Sequence, residues 1–380
     1  MITFLTVAAL FTPTFASANG PSCTTLFTES SAIKPLLTGA WRKSSADLFM
    51  GFRSNAPHYW NWLHAQSSPL FSVRGVVSGD PHILNFGDVQ LKEGGRKYSL
   101  VDVDDSGVNA PLAGDFLRYY VGNRISPFKV DKQDLYQAYV DGLNGKKMDK
   151  PDYLKKVEDK SDGDLSARQE KYLAKVTAND RFSEGAELQP LSIAPAEIQN
   201  LYAQSSATFK ALMKDYQVLD SGFKTKDSGG SQGLARFWFL LESNGERHVW
   251  EFKLENDPAT SLYSAQPQAM SRFQKVSETY RPSAEVLGPY QFVTVGENVF
   301  LLRERLAHFI DLDPAKMTGK KDLENGQQMS LYLANKMGQW QSKQPASSDL
   351  AKILADKNSF EEFNNLAEKY IQVMKDEAQK

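Results

Sequence analysis

The sequence predicts an α+β fold, a helical body carrying a small antiparallel sheet. Three observations predict it. Apolar and aromatic residues recur at three- and four-residue steps near both ends of the chain. Two β-prone pairs in its second half are each joined by a short glycine turn. The elements also run helices, a loop dense in reactive side chains, helices, sheet and helices again, with no internal repeat.

Taken in order, Ile2 to Ala16 is uncharged and mostly apolar, and Ala16-Ser17-Ala18 is a small-x-small site. Residues 1–18 therefore read as a secretory signal peptide cleaved after Ala18, the plain alternative being a buried N-terminal segment. The mature chain is expected to be exported, to the periplasm. Cys23 is the single cysteine, so no intramolecular disulfide can form. Thr25 to Leu63 carries a helical period that Pro57 divides in two. Ser72 to Ser78 is β-prone, and Tyr98 to Val103 reads as a second strand after a polar glycine turn at 92–97. Asp115 stands where an N-cap would open a helix.

Lys146 to Arg181 is dense in charge and reads as a solvated helical excursion. Ala194 to Tyr216 resumes the helical period. The glycine cluster Ser228 to Gly233 precedes strands Ala235 to Glu242 and His248 to Leu254, joined through Asn244-Gly245, a strong hairpin signal. Strands are also expected at Tyr290 to Val295 and Val299 to Arg303. Helices follow at Gln327 to Gln341 and Ser359 to Glu377.

The chain has 380 residues, 41% hydrophobic and 24% charged, enough for a large core. A net charge of -2 argues against electrostatically driven binding to nucleic acid or anionic lipid. No stretch after the first twenty residues is apolar enough to span a bilayer.

The chemistry concentrates in Gly79-Asp80-Pro81-His82-Ile83-Leu84-Asn85-Phe86-Gly87, followed by Ser99-Leu100-Val101-Asp102-Val103-Asp104-Asp105. An Asp and an Asn five apart, then an apolar strand ending in Asp, is a pattern that phosphoryl transfer uses. One Asp accepts the proton of an attacking hydroxyl, and the Asn and later Asp hold Mg²⁺ against nucleotide phosphates. The glycine cluster offers backbone amides to phosphates, and Lys253 on the following hairpin offers a cation. Each feature also has a plainer reading. Asp80 and Asn85 are ordinary turn residues, His82 an orienting histidine, Asp102 to Asp105 a solvated acidic turn, and Lys253 an edge lysine. Three carboxylates at one strand end favour a hard-cation site.

These residues resemble the protein kinase-like superfamily in its aminoglycoside and choline phosphotransferase style. They are more similar still to the bacterial family called domain of unknown function 2252. The blocks that carry this second resemblance are Gly79 to Gly87, Val101 to Asp105, Gly114-Asp115-Phe116-Leu117-Arg118, Gly230-Ser231-Gln232-Gly233, Phe252-Lys253 and Val299 to Arg303. The resemblance spans roughly Ser45 to Ser342. It implies a bilobal kinase-like fold in circularly permuted order, because the glycine loop and lysine follow the catalytic loop. Residues 19–220 would form the helical lobe, 221–310 the small β lobe, and 311–380 helices returning to the first.

The resemblance further implies Asp80 as catalytic base with His82 beside it, and Asn85 and Asp102 as Mg²⁺ ligands with Asp104 adjoining. Lys253, Gly230, Ser231 and Gly233 would hold an ATP-like nucleotide, and Asp115 would support the loop. A helix glutamate should pair with Lys253, and Glu278 is the candidate. Lys253 is expected to approach Asp102. The function implied is Mg²⁺-dependent transfer of a phosphoryl group to a hydroxyl on a small molecule or protein. The alternatives are an exported non-catalytic binding module, or a metal-dependent hydrolase using Asp80, His82 and the acidic strand end.

Overall fold

The computed structural model describes residues 37–42, 47–92, 96–161, 165–225, 233–280, 289–306, 312, 314 and 316–380, and it is a mixed α+β structure. The expected signal peptide, and Gly230 and Ser231 of the glycine cluster, lie outside the described residues.

Helices α1 (Leu48–Arg53) and α2 (Ala56–His64) divide where Pro57 enters, in the first turn of α2. There its missing N–H removes no helical hydrogen bond. Strand β1 (Arg74–Val77) forms as its β-prone run predicts, and β2 (Phe86–Gln90) pairs antiparallel with β3 (Arg96–Leu100). The strand expected over 98–103 thus ends at Leu100, and Asp102 lies in the connection beyond it. β1 pairs with β4 (Gly107–Pro111), a strand that the sequence pattern does not predict.

Helix α3 (Leu112–Ile125) starts earlier than expected. Its N-cap is Pro111, and Asp115 sits inside the first turn. Asp115 is therefore not an N-cap. Helix α4 (Lys132–Leu143) is capped by Asp131, whose carboxylate accepts from the amides of Gln133 and Asp134. The charged excursion contains α5 (Asp152–Ser161), α6 (Leu165–Val176) and the short strands β5 (Thr177–Ala178) and β6 (Arg181–Phe182). Helix α7 (Ala196–Leu212) precedes the main sheet.

That sheet has five antiparallel strands in the order β10-β11-β9-β8-β7, with β7 at Gln217–Thr225, β8 at Ala235–Ser243, β9 at Glu246–Leu254, β10 at Tyr290–Val295 and β11 at Asn298–Glu304. Asn244 and Gly245 turn the β8–β9 hairpin with φ of 53° and 79°, the conformation that gives Asn-Gly its hairpin preference. Helix α8 (Ala269–Tyr280) lies between β9 and β10 in the chain. Helices α9 (Lys320–Gln341), α10 (Ser347–Leu354) and α11 (Ser359–Gln379) complete the body.

Strand alternation gives this sheet two unlike faces. Phe237, Phe239, Phe252 and Phe300 form one apolar face that packs on Phe209 of α7. The opposite face begins apolar, with Leu240 and Val249 against Val176 and Ala186. It then turns charged, through Glu251, Arg236 and Lys253. A second, larger core joins α2, α3, α4, α9 and α11 around Phe116, Tyr139 and Phe363. Helices α4 and α9 cross at backbone contact. A Cβ on Gly142 would lie 2.0 Å from the Asn335 carbonyl oxygen, and one on Gly338 would lie 2.2 Å from that of Tyr139.

Candidate functional site

The loop that carries Asp80 is held from beneath by one face of α3. Asp115 accepts the amides of Ser78 at 2.9 Å and Gly79 at 2.8 Å, together with the Ser78 hydroxyl. One turn further on, Arg118 donates to Asp80 Oδ1 at 2.6 Å and to the Phe52 carbonyl at 3.1 Å. Trp60 Nε1 donates to the Gly79 carbonyl at 2.6 Å. Gly79 has φ +85°, and a Cβ there would fall 1.8 Å from the Asp105 carbonyl oxygen, so the loop and the acidic segment touch through glycine.

Asp80 is buried, and burial opposes its charge. Arg118 and then His82 outweigh that and hold the carboxyl below the ordinary carboxylate range. His82 Nε2 stands 3.5 Å from Asp80 Oδ2. Burial lowers the imidazole more than Asp80 raises it, so His82 is neutral at pH 7. Its Nδ1 is buried without a hydrogen-bond partner among the described residues. Asn85 donates its Nδ2 to the Asp80 carbonyl at 2.8 Å, and its own carbonyl accepts Val101 N at 2.8 Å. Asn85 thereby ties the loop to the start of the acidic segment.

In that segment Asp104 is ion-paired with Lys253 of β9, and Lys253 also lies 3.4 Å from Glu255. Asp104 Oδ1 is buried and accepts no hydrogen bond among the described residues. Asp105 accepts the Ala259 amide at 2.8 Å. Burial and the charge of Asp80 nevertheless push its carboxyl up to about 7. Asp115 is raised to about 6, chiefly by burial. Burial likewise raises Glu255 against the pull of Lys253, and Asp102 adds to the rise.

Glu278 is not the partner of Lys253. It is exposed and accepts from Gln274 Nε2 at 2.9 Å. Besides Asp104, the carboxylate near Lys253 is Glu255, one residue past the end of β9. Helix α8 contributes an arginine instead. Arg272 Nη1 donates to the carbonyls of Asp104 at 3.0 Å and Ser106 at 2.9 Å.

The predicted residues thus fall into connected groups. Asp80, His82 and Asn85 share the loop, and Lys253 meets Asp104. The charge of Asp102 acts on Asp105, Glu255, Arg236 and Arg303, so it stands between the acidic segment and the sheet. Gly233 has φ +81° just before β8. Arg118, Glu255 and Arg272 carry no role in the sequence reading. The available signal for Arg118 was its spacing, three residues after Asp115 in a helix otherwise apolar on that face.

Among the described residues, no group of three or more His, Cys, Asp or Glu side chains is arranged to hold a metal ion. Mg²⁺ is commonly held by only one or two carboxylates, with phosphate oxygens and water completing its shell. Asn85 Oδ1, Asp102 and Asp104 offer oxygen donors of the kind Mg²⁺ takes, and Asp104 Oδ1 is unengaged among the described residues.

No family model, no curated protein and no solved structure matches the chain.

Proposed function

We propose that this chain is a Mg²⁺-dependent phosphotransferase of kinase-like, circularly permuted fold that moves a phosphoryl group from a nucleotide to a hydroxyl acceptor, outside the cytoplasm. The observation that carries the reading is the ion pair between Lys253 and Asp104, which joins the sheet lysine to the acidic segment. Two features of the sheet support it. Lysine stands on the third strand in chain order, and a helix enters between the third and fourth strands, as in a kinase small lobe.

Under this reading Asp80 takes the proton from the acceptor hydroxyl, with Arg118 and His82 fixing the direction of its carboxylate. Lys253 exchanges Asp104 for a donor phosphate, and the backbone at Gly233 lines the phosphate path. Asn85, Asp102 and Asp104 would hold Mg²⁺, which when bound supplies positive charge at the phosphates. The test is thermal unfolding of the mature protein with ATP, with and without Mg²⁺, beside Asp102→Ala and Asp80→Asn. Stabilisation that needs Mg²⁺ and vanishes in Asp102→Ala is expected. Asp80→Asn should keep the binding and lower transfer at least roughly a hundredfold. No shift with any nucleotide would sink the reading.

One observation favours a second reading, a non-catalytic binding module. Both carboxylate oxygens of Asp80 already face side-chain partners, Arg118 and His82. Nucleotide binding with no phosphoryl transfer to any hydroxyl acceptor would select it.

A further inference from the structure

The charged face of the sheet encloses a cavity of about 620 Å³ that neither the loop nor the acidic segment lines. Its walls include Lys224, Arg236, Trp238, Glu251, Arg303 and Arg305. Strand register explains the assembly. Glu251 lies directly across from Trp238 on β8 and from Arg303 on β11, and Lys224 lies across from Arg236. Glu251 is 1% exposed, which settles that its charge must be met by protein. It accepts from Arg303 Nε at 2.7 Å, Trp238 Nε1 at 2.8 Å and Arg236 Nη1 at 3.3 Å, with Arg305 at 3.9 Å.

One carboxylate and three guanidinium groups do not balance. Lys224 adds a further cation, its Nζ 4.1 Å from the centre of the Trp238 ring. Among the described residues the only other charged group on the lining is Glu187, exposed at the rim, and Asp102, beyond the lining, also acts on Arg236 and Arg303, so four cations face three carboxylates. Burial lowers the Lys224 ammonium, and the charge of Arg305 lowers it further, as expected where positive potential is left over. A glutamate needing only structural neutralisation is satisfied by one or two cations. Arg305 Nε, moreover, is buried and finds no acceptor among the described residues.

We infer that this cavity is a binding site for a small molecule bearing two or more anionic oxygen groups, phosphoryl or carboxylate, held by Lys224, Arg303 and Arg305 without a metal. Guanidinium forks match both groups in bidentate fashion. The inference is independent of phosphoryl transfer, since it uses none of Asp80, Asn85, Asp102 or Lys253.

The test is calorimetric titration of the mature protein in EDTA with pyrophosphate, with citrate, and with a neutral sugar as control. Pyrophosphate or citrate should bind, the sugar should not, and Lys224→Gln with Arg305→Gln should weaken binding at least tenfold. These two substitutions leave the hydrogen bonds of Arg236, Trp238 and Arg303 to Glu251 in place, and Lys224→Gln alone, expected to weaken binding several-fold, serves if the pair fails to fold. Preference for pyrophosphate over citrate assigns a phosphoryl ligand, and the reverse a carboxylate one. Absence of binding by either anion, or affinity unchanged in the variants, overturns the inference. Mg²⁺-dependent stabilisation by ATP persisting beside that result would leave the phosphotransferase reading intact.

Discussion

Two buried charge clusters lie close together in this molecule, and they have opposite signs. Among the described residues, the region of Asp80, Asp102, Asp104, Asp105, Asp115 and Glu255 holds six carboxyl groups against Arg118, Lys253 and Arg272, with Asp102 also acting on Arg236 and Arg303, so carboxyl groups outnumber cations there. Around Glu251 the cations are in excess. The consequences are visible in the carboxyl groups themselves. Crowding and burial push Asp105 up to about 7, whereas Arg303, Arg305 and Arg236 overcome burial and hold Glu251 well below the carboxylate range. An imbalance of this kind is costly in a protein interior and is relieved by a ligand of the missing sign. The two clusters meet where the charge of Asp102 acts on Arg236 and Arg303.

The largest test of this contrast is Gly79→Ala, which attacks the acidic side. A left-handed backbone and a Cβ overlapping the Asp105 carbonyl should together cost about 4 kcal/mol, read by urea unfolding. A loss below about 1 kcal/mol would mean that the loop does not press on the acidic segment. Next is Glu251→Ala on the basic side. Leaving three arginines around an empty position should cost about 3 kcal/mol. Added pyrophosphate should restore part of that stability in the variant, and failure to do so would break the comparison.

The smallest test uses pH. Asp115 titrates near 6 in the folded protein against an ordinary 3.8, so folding favours its protonated form. Its contribution is full below about pH 4 and declines as pH rises through 6. Asp115→Asn has no such decline. The wild-type advantage over this variant should shrink by on the order of 2 kcal/mol between pH 4 and 7. A constant difference across that range would show that Asp115 is not the strained group.

Much of the fold was legible because local chemistry dictates it. Pro57 in a first helical turn, Asn244-Gly245 with both φ positive, and the alternation of Phe237, Phe239 and Phe252 need no distant partner to be read. Strand β4 and helix α10 were not legible. β4 depends on pairing with β1, and α10 is only eight residues, too short to declare itself by period alone. The candidate site divides in the same way. Asp80, Asn85 and the acidic run stand out by spacing, and Lys253 by its place on a hairpin.

The sequence by itself determined which side chains are available, and through strand period which of them share a face: Arg236 with Trp238, and Glu251 with Lys253. The tertiary structure alone decided who answers whom. Arg118 reaches Asp80 across 38 positions, Lys253 pairs with Asp104, and Arg272 stands on the helix where a glutamate was expected. Periodicity is a local property of the chain, but charge compensation is settled by distance and burial, which exist only once the segments are packed.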